Sequence, residues 1–245
     1  MLQYYFTENI FTLNYIQNSR CLLFVMKRIL VALLSFFIFS PCFSQTFQDI
    51  FNPSTEITWL GIDYSHTKIV GKMSQFGGVT PITALELRDK YYPEWNQLIL
   101  DEPEKYSIPK MIYHKTVVND IQMVKTLNAA ALLDSLEVPS TPYYTPDYIQ
   151  SIVANYPLIN KSGIGLIFIT ECLNKSYGGA YYHVVFFNMS TKEILLHERI
   201  QGMVIGNGLR NYWAGSYFNV MEDIRQLRYP KWKRRYLTTT PTNVK

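Results

Sequence analysis

Three apolar runs in the last third of the chain constrain its fold more than any other feature. They are Gly165 to Thr170 (GLIFIT), Tyr181 to Asn188 (YYHVVFFN) and Glu193 to Ile200 (EILLHERI). The first is nearly continuous in apolar residues, as a strand buried on both faces must be. The second and third are separated only by Met189 to Lys192, a four-residue spacing that predicts a β-hairpin. Leu209 to Leu227 then reads as a helix, with Tyr212, Trp213, Tyr217, Val220 and Ile224 along one side.

Upstream, Glu56 to Tyr64, Lys68 to Gly71 and Lys110 to Val118 carry strand-forming residues. Thr80-Pro81 and Thr145-Pro146 each place a capping residue before a first-turn proline, the local signal of a helix start. Pro93 interrupts the first of these helices and can open a second helical piece, and Asn119 to Leu133 stays ambiguous. Strands and helices do not alternate strictly. The expected class is therefore α+β: a mostly antiparallel sheet with helices packed on one face, and a C-terminal hairpin followed by a helix. Trp59, Phe168, Val185 and Trp213 are the expected core.

The N-terminal region reads as targeting rather than fold. From Met26 the chain runs MKRILVALLSFFIFSPCFSQ, with Lys27 and Arg28 ahead of an apolar run from Ile29 to Phe39. Cys42 and Ser44 stand at the −3 and −1 positions of a cleavage site before Gln45. The run is shorter than the roughly 20 residues a membrane span needs. Residues 1–25 read as an upstream extension, 26–44 as a signal peptide, 45–236 as a single domain and 237–245 as a polar tail. An uncleaved anchor and lipidation of Cys42 are the competing export routes, and Pro41 makes a poor lipobox. The expectation is an exported protein, periplasmic or associated with the outer envelope, with no transmembrane span in the mature chain. Loss of residues 1–44 removes Arg20, Lys27, Arg28 and Glu8, so the formal charge falls from +4 to +2. Cys172 is then the sole thiol, which excludes an intrachain disulfide.

Composition narrows the function classes. With 19 Tyr, 14 Phe and 17% charged residues, the chain buries a core and is not disordered. The mild basicity does not call for nucleic acid. His66, His114, His183 and His197 lie more than four residues apart, so no local metal pair exists, although His183 and His197 can face each other across the hairpin. No catalytic residues, metal ligands or cofactor motif are assigned. Gly206-Asn207-Gly208 resembles half a dinucleotide loop, but Asn211 occupies the third glycine position. The reading favours a non-catalytic binding or accessory module whose partner is an envelope protein or an anionic surface. The alternative is a hydrolase whose site assembles only in three dimensions, such as Cys172 or His183 with a carboxylate.

The candidate binding residues are Gly206, Gly208, Arg210, Asn211 and Tyr212, within the segment Gly202 to Tyr236. Glycines there permit unusual backbone shapes, the helix start offers free N–H groups, and Arg210 can grip a carboxylate or phosphate. Further on, Arg225, Arg228, Lys231, Lys233, Arg234 and Arg235 interleave with Tyr229, Trp232 and Tyr236, a pattern suited to an anionic surface.

GIGLIFITECLNKS (163–176), AYYHVVFFNMSTKEIL (180–195), GNGLRNYWAGSYFNVM (206–221) and EITWLGIDYS (56–65) together resemble an uncharacterised group of exported proteins of Bacteroidetes bacteria. The resemblance covers about half of the mature chain. The group carries an aromatic residue where this chain has Asn207. What the resemblance implies is export and a shared fold; it assigns no catalytic residue.

Overall fold

The computed structural model describes residues 45–76 and 81–237. The upstream extension, the leader and tail residues 238–245 lie outside them. Seven strands form one sheet: β1 (Ile57–Asp63), β2 (Lys68–Val70), β3 (Val117–Asn119), β4 (Glu137–Val138), β5 (Ile164–Asn174), β6 (Gly179–Asn188) and β7 (Ile194–Met203). β5 is central and buried along its whole length. β1 runs parallel to Ile164–Ile169, and β2 runs parallel to Cys172–Asn174. β3 and β4 continue the parallel pairing on β1 and β2.

This overturns the expected mostly antiparallel α+β sheet. The path β3-β1-β5-β2-β4 is parallel throughout, and the architecture is α/β. The antiparallel part is the meander β5-β6-β7, in which the hairpin turns over Met189 to Glu193. Residues 164–169 pair with both β1 and β6, so the parallel strands and the meander occupy opposite edges of β5.

The helices are α1 (Met73–Phe76), α2 (Tyr92–Asp101), α3 (Ile108–Met111), α4 (Gln122–Ala129), α5 (Pro146–Ala154), α6 (Leu209–Asp223) and α7 (Tyr229–Leu237). They cover both faces of the sheet, not one. Successive strand residues point to opposite faces. Tyr182 reaches Ser216 of α6, and the Phe186 ring meets Trp232 of α7. On the alternate residues, His183 stacks on Tyr144, and Phe187 meets Tyr156 just beyond α5. Trp59, Phe168, Val185 and Trp213 are all buried.

Two prolines shape the helices. α2 is entered through Ala84–Glu86 and a π-helical turn, Leu87–Tyr91, and α6 runs into α7 through a second, Ile224–Arg228. Pro93 and Pro230 stand just after these turns. Each lacks an N–H and crowds the carbonyl four residues back, and a wider turn absorbs both problems. Pro93 therefore widens the helix rather than interrupting it. Lys110 to Val118 holds the end of α3 and the start of β3 instead of a full strand.

Beyond Trp59 the outer edge of β1 has no strand partner among the described residues, and two buried amides take that place. Asn96 accepts from the Ile62 N–H at 2.7 Å and donates to its carbonyl at 2.9 Å. Asn128 accepts from the Tyr64 N–H at 2.7 Å and donates to the Ile62 carbonyl at 3.0 Å. The helices α2 and α4 are thus tied to the sheet as well as packed on it.

Candidate functional site

The predicted loop folds tightly onto the sheet. Gly202 lies within β7 against the backbone of Ser216, and Gly215 of α6 lies against the backbone of Ile205; a Cβ at either would overlap main-chain atoms. Their service is close strand–helix approach. Gly206 (φ 125°) and Gly208 (φ 74°) do use the left-handed region, and Gly208 is the residue from which α6 starts. The Arg210 carbonyl accepts from the Trp95 indole at 3.0 Å. Its guanidinium projects outward and meets the Asn211 amide at 3.1 Å, with no carboxylate in ion-pair range among the described residues.

Gly206, Gly208, Arg210 and Asn211 line concave surface beside α6. A groove of about 560 Å³ lies between Glu102, Lys105 and Phe218 on one side and Gly206 to Asn211 on the other. A second, of about 370 Å³, continues past Asn207 and Gly208 to Lys90, Tyr91 and Glu94. A third, of about 780 Å³, extends the other way between Lys110–Lys115 and Phe218–Arg225. Tyr212 does not join the first two; it is half-buried, with its ring against Trp213.

The basic-aromatic segment separates into two sides. Tyr229 and Trp232 are buried, and Tyr236 packs on Phe47 and Phe51. Lys231 and Lys233 are exposed. Tyr229 and Trp232 are core residues of an amphipathic helix, and Tyr236 is half-buried against the core.

On the opposite face of the sheet lies a polar cluster. β5 and β6 pass from Thr170 opposite Tyr182 to Cys172 opposite Tyr181, so Glu171 is the extra residue of a β-bulge. Its carboxylate is fully buried. Arg199 of β7 donates to it through Nε and Nη2, the shortest contact being 2.5 Å. The backbone N–H of Tyr144 donates at 3.0 Å. His183 Nε2 lies 2.9 Å from Oε2, and His183 Nδ1 lies 2.7 Å from His197 Nε2. The Arg199 guanidinium stands 3.6 Å from the centre of the Tyr181 ring.

Burial alone would raise the Glu171 carboxyl, but the hydrogen bonds from His183, Arg199 and Tyr144 outweigh it and hold the group below the usual carboxylate range. An ionised carboxylate only accepts, so His183 Nε2 carries a proton. Burial, reinforced by His183 alongside, lowers His197 to about 4. It is therefore a neutral imidazole near pH 7. Burial, then the neighbouring Glu171, pushes the Cys172 thiol up to about 12, which removes thiolate character.

The facing of His183 and His197 across the hairpin was legible in the sequence; Glu171 and Arg199 were not singled out. A carboxylate inside the apolar run FITECL was the available signal, because acidic residues are almost never buried unless paired. Among the described residues no group of three or more His, Cys, Asp or Glu is placed to hold a metal ion. Comparison with protein families, with curated proteins and with solved structures gives no match to this chain.

Proposed function

We propose that the chain is an exported, non-catalytic binding module of the cell envelope, whose partner seats along the exposed side of α6. The observation that supports this reading is the run of three concavities beside α6, two of them bordered by Arg210 and Asn211. Export rests on the segment Met26 to Ser44. Two measurements test the proposal. N-terminal sequencing of the protein from its native cells should begin at Gln45; a chain that keeps Met26, or starts at a lipid-bearing Cys42, overturns the soluble exported form. Co-purification from native envelopes should recover a partner that Arg210→Ala loses while the variant keeps its melting temperature. A partner retained equally by the variant overturns the α6 assignment.

A second reading is favoured by one geometry. Glu171, His183 and His197 stand in the order of a proton relay, with His197 at the half-exposed end. A hydrolase would use His197 as its base, oriented through His183. Against it, Glu171 and His183 are fully buried and line none of the three grooves. Turnover of simple aryl esters that His197→Ala abolishes would establish it; equal rates in both proteins would reject it.

A further inference from the structure

Resting on the reading of α6 as the binding side, we infer that its groove takes an extended acidic peptide segment of the partner, with one large apolar side chain near the middle. The three concavities are joined end to end: Lys105 and Phe218 border two of them, and Asn207, Arg210 and Asn211 border the next pair. From Arg210 to Arg225 the helical path is about 22 Å at 1.5 Å per residue. An extended chain covers that length with about seven residues. The floor is apolar and adaptable. Phe218 is half-buried, and Met111 and Met221 line the wider end. There Tyr113, with a left-handed backbone (φ 54°), holds a ring that is 53% exposed.

Charge selects the ligand class. Six cations, Lys90, Lys105, Lys110, Lys115, Arg210 and Arg225, border the path, against four carboxylates, and Lys90 at one end is loosely held by a fifth, Glu86, at 3.9 Å. Two of the carboxylates are already engaged, Glu104 by Lys110 at 3.2 Å and Glu222 by Arg225 at 2.6 Å. Glu102 is loosely held by Lys105 at 3.9 Å, and Glu94, at the far end, has no ion-pair partner among the described residues. Arg210 and Lys115 have no carboxylate partner among the described residues, and Lys105 lies over the Tyr106 and Phe218 rings. The middle of the path therefore carries unneutralised positive charge above an aromatic floor. Gly208, where a Cβ would meet nothing within 4 Å, leaves the loop backbone open to a second main chain. A membrane fits less well, because the surface is concave and the aromatic residues of the basic segment are turned into the core.

The test uses the mature chain from Gln45 and three fluorescein-labelled octapeptides with a central Phe: one of Asp and Glu, its Asn and Gln counterpart, and a Lys version. The acidic peptide should bind at least 10-fold more tightly than the other two. Lys105→Gln/Arg210→Gln should weaken it at least 10-fold with an unchanged melting temperature, and it should weaken as salt is raised. Phe218→Ala should weaken it independently of salt. If the amide or Lys peptide binds as well and still needs Phe218, the acidic class is wrong and the groove stands. If phosphatidylglycerol vesicles or polyglucuronate bind more tightly and lose binding in the same double variant, the peptide assignment is overturned. If none of these probes binds and Phe218→Ala keeps the native partner, both the inference and the reading beneath it fall.

Discussion

Replacement of Glu171 by Leu removes the one acceptor shared by three elements: Arg199 from β7, His183 from β6 and the Tyr144 N–H from the segment before α5. Removing one partner of a buried ion pair typically costs about 3–5 kcal/mol, because the other charge is left unpaired. Here the Arg199 side chain is 25% exposed and can recover some hydration, which places the expected loss near the lower end, about 3 kcal/mol. For a domain of this size that is a fall of roughly 6–12 °C in melting temperature. The double variant Glu171→Leu/Arg199→Met replaces the pair with apolar side chains and should recover at least about 1.5 kcal/mol of the single-variant loss. Urea unfolding followed by tryptophan fluorescence and circular dichroism measures all of these values. A single-variant loss under about 1 kcal/mol, or strictly additive effects in the double variant, would refute the claim that the network locks β7 and the Tyr144 segment to the sheet.

Other consequences follow from single contacts. With His197 lowered to about 4 from 6.5, the unfolded chain binds the extra proton first as the medium is acidified. The His197 contribution to stability should therefore be lost between pH 6.5 and pH 4, by roughly 1 kcal/mol once solvent screening of the half-exposed ring is allowed for, while protonation of the depressed Glu171 carboxyl carries the loss on to lower pH. His197→Phe should remove that part of the pH dependence, and an unchanged slope would show that other groups cause it. Asn96→Leu leaves the buried Ile62 N–H without an acceptor and should cost about 2–3 kcal/mol in urea unfolding; a neutral result would contradict the role of the amide as a substitute strand partner. Gly215→Val should prevent α6 from seating on Ile205 and cost about 3 kcal/mol or more, whereas Gly208→Ala, where a Cβ meets nothing within 4 Å, should cost only the strain of its positive-φ, extended-ψ backbone, about 1–3 kcal/mol.

Local pattern in the sequence carried the strand at Gly165–Thr170, the β6-β7 hairpin, the helix after it and the burial of Trp59 and Phe168, because hairpin spacing and apolar runs are short-range signals. Strand direction was not legible. β1 meets β5 more than 100 residues later in the chain, and nothing in ITWLGID states whether that meeting is parallel. Coverage of both sheet faces followed from the same gap, since it depends on where the chain passes after each strand. At the site, Gly206, Gly208, Arg210 and Asn211 were readable as an exposed glycine loop at a helix start. The role of Phe218 was not, because it lies off the apolar side of the helix read from the sequence, and only the packing of α3 beside α6 makes it the half-buried floor of a groove. Glu171 escaped notice because its partners lie 12 and 28 residues further along the chain.

Site-specific photocrosslinking in native envelopes tests the central claim most directly. A benzoylphenylalanine placed at Phe218 lies on the floor of the α6 groove, and one at Asp147 lies exposed on α5, across the sheet. The account predicts a discrete adduct of defined mass at Phe218, absent at Asp147 and suppressed when Arg210 is replaced by Gln. Adducts of equal yield at both positions, or an adduct at Asp147 alone, would contradict it.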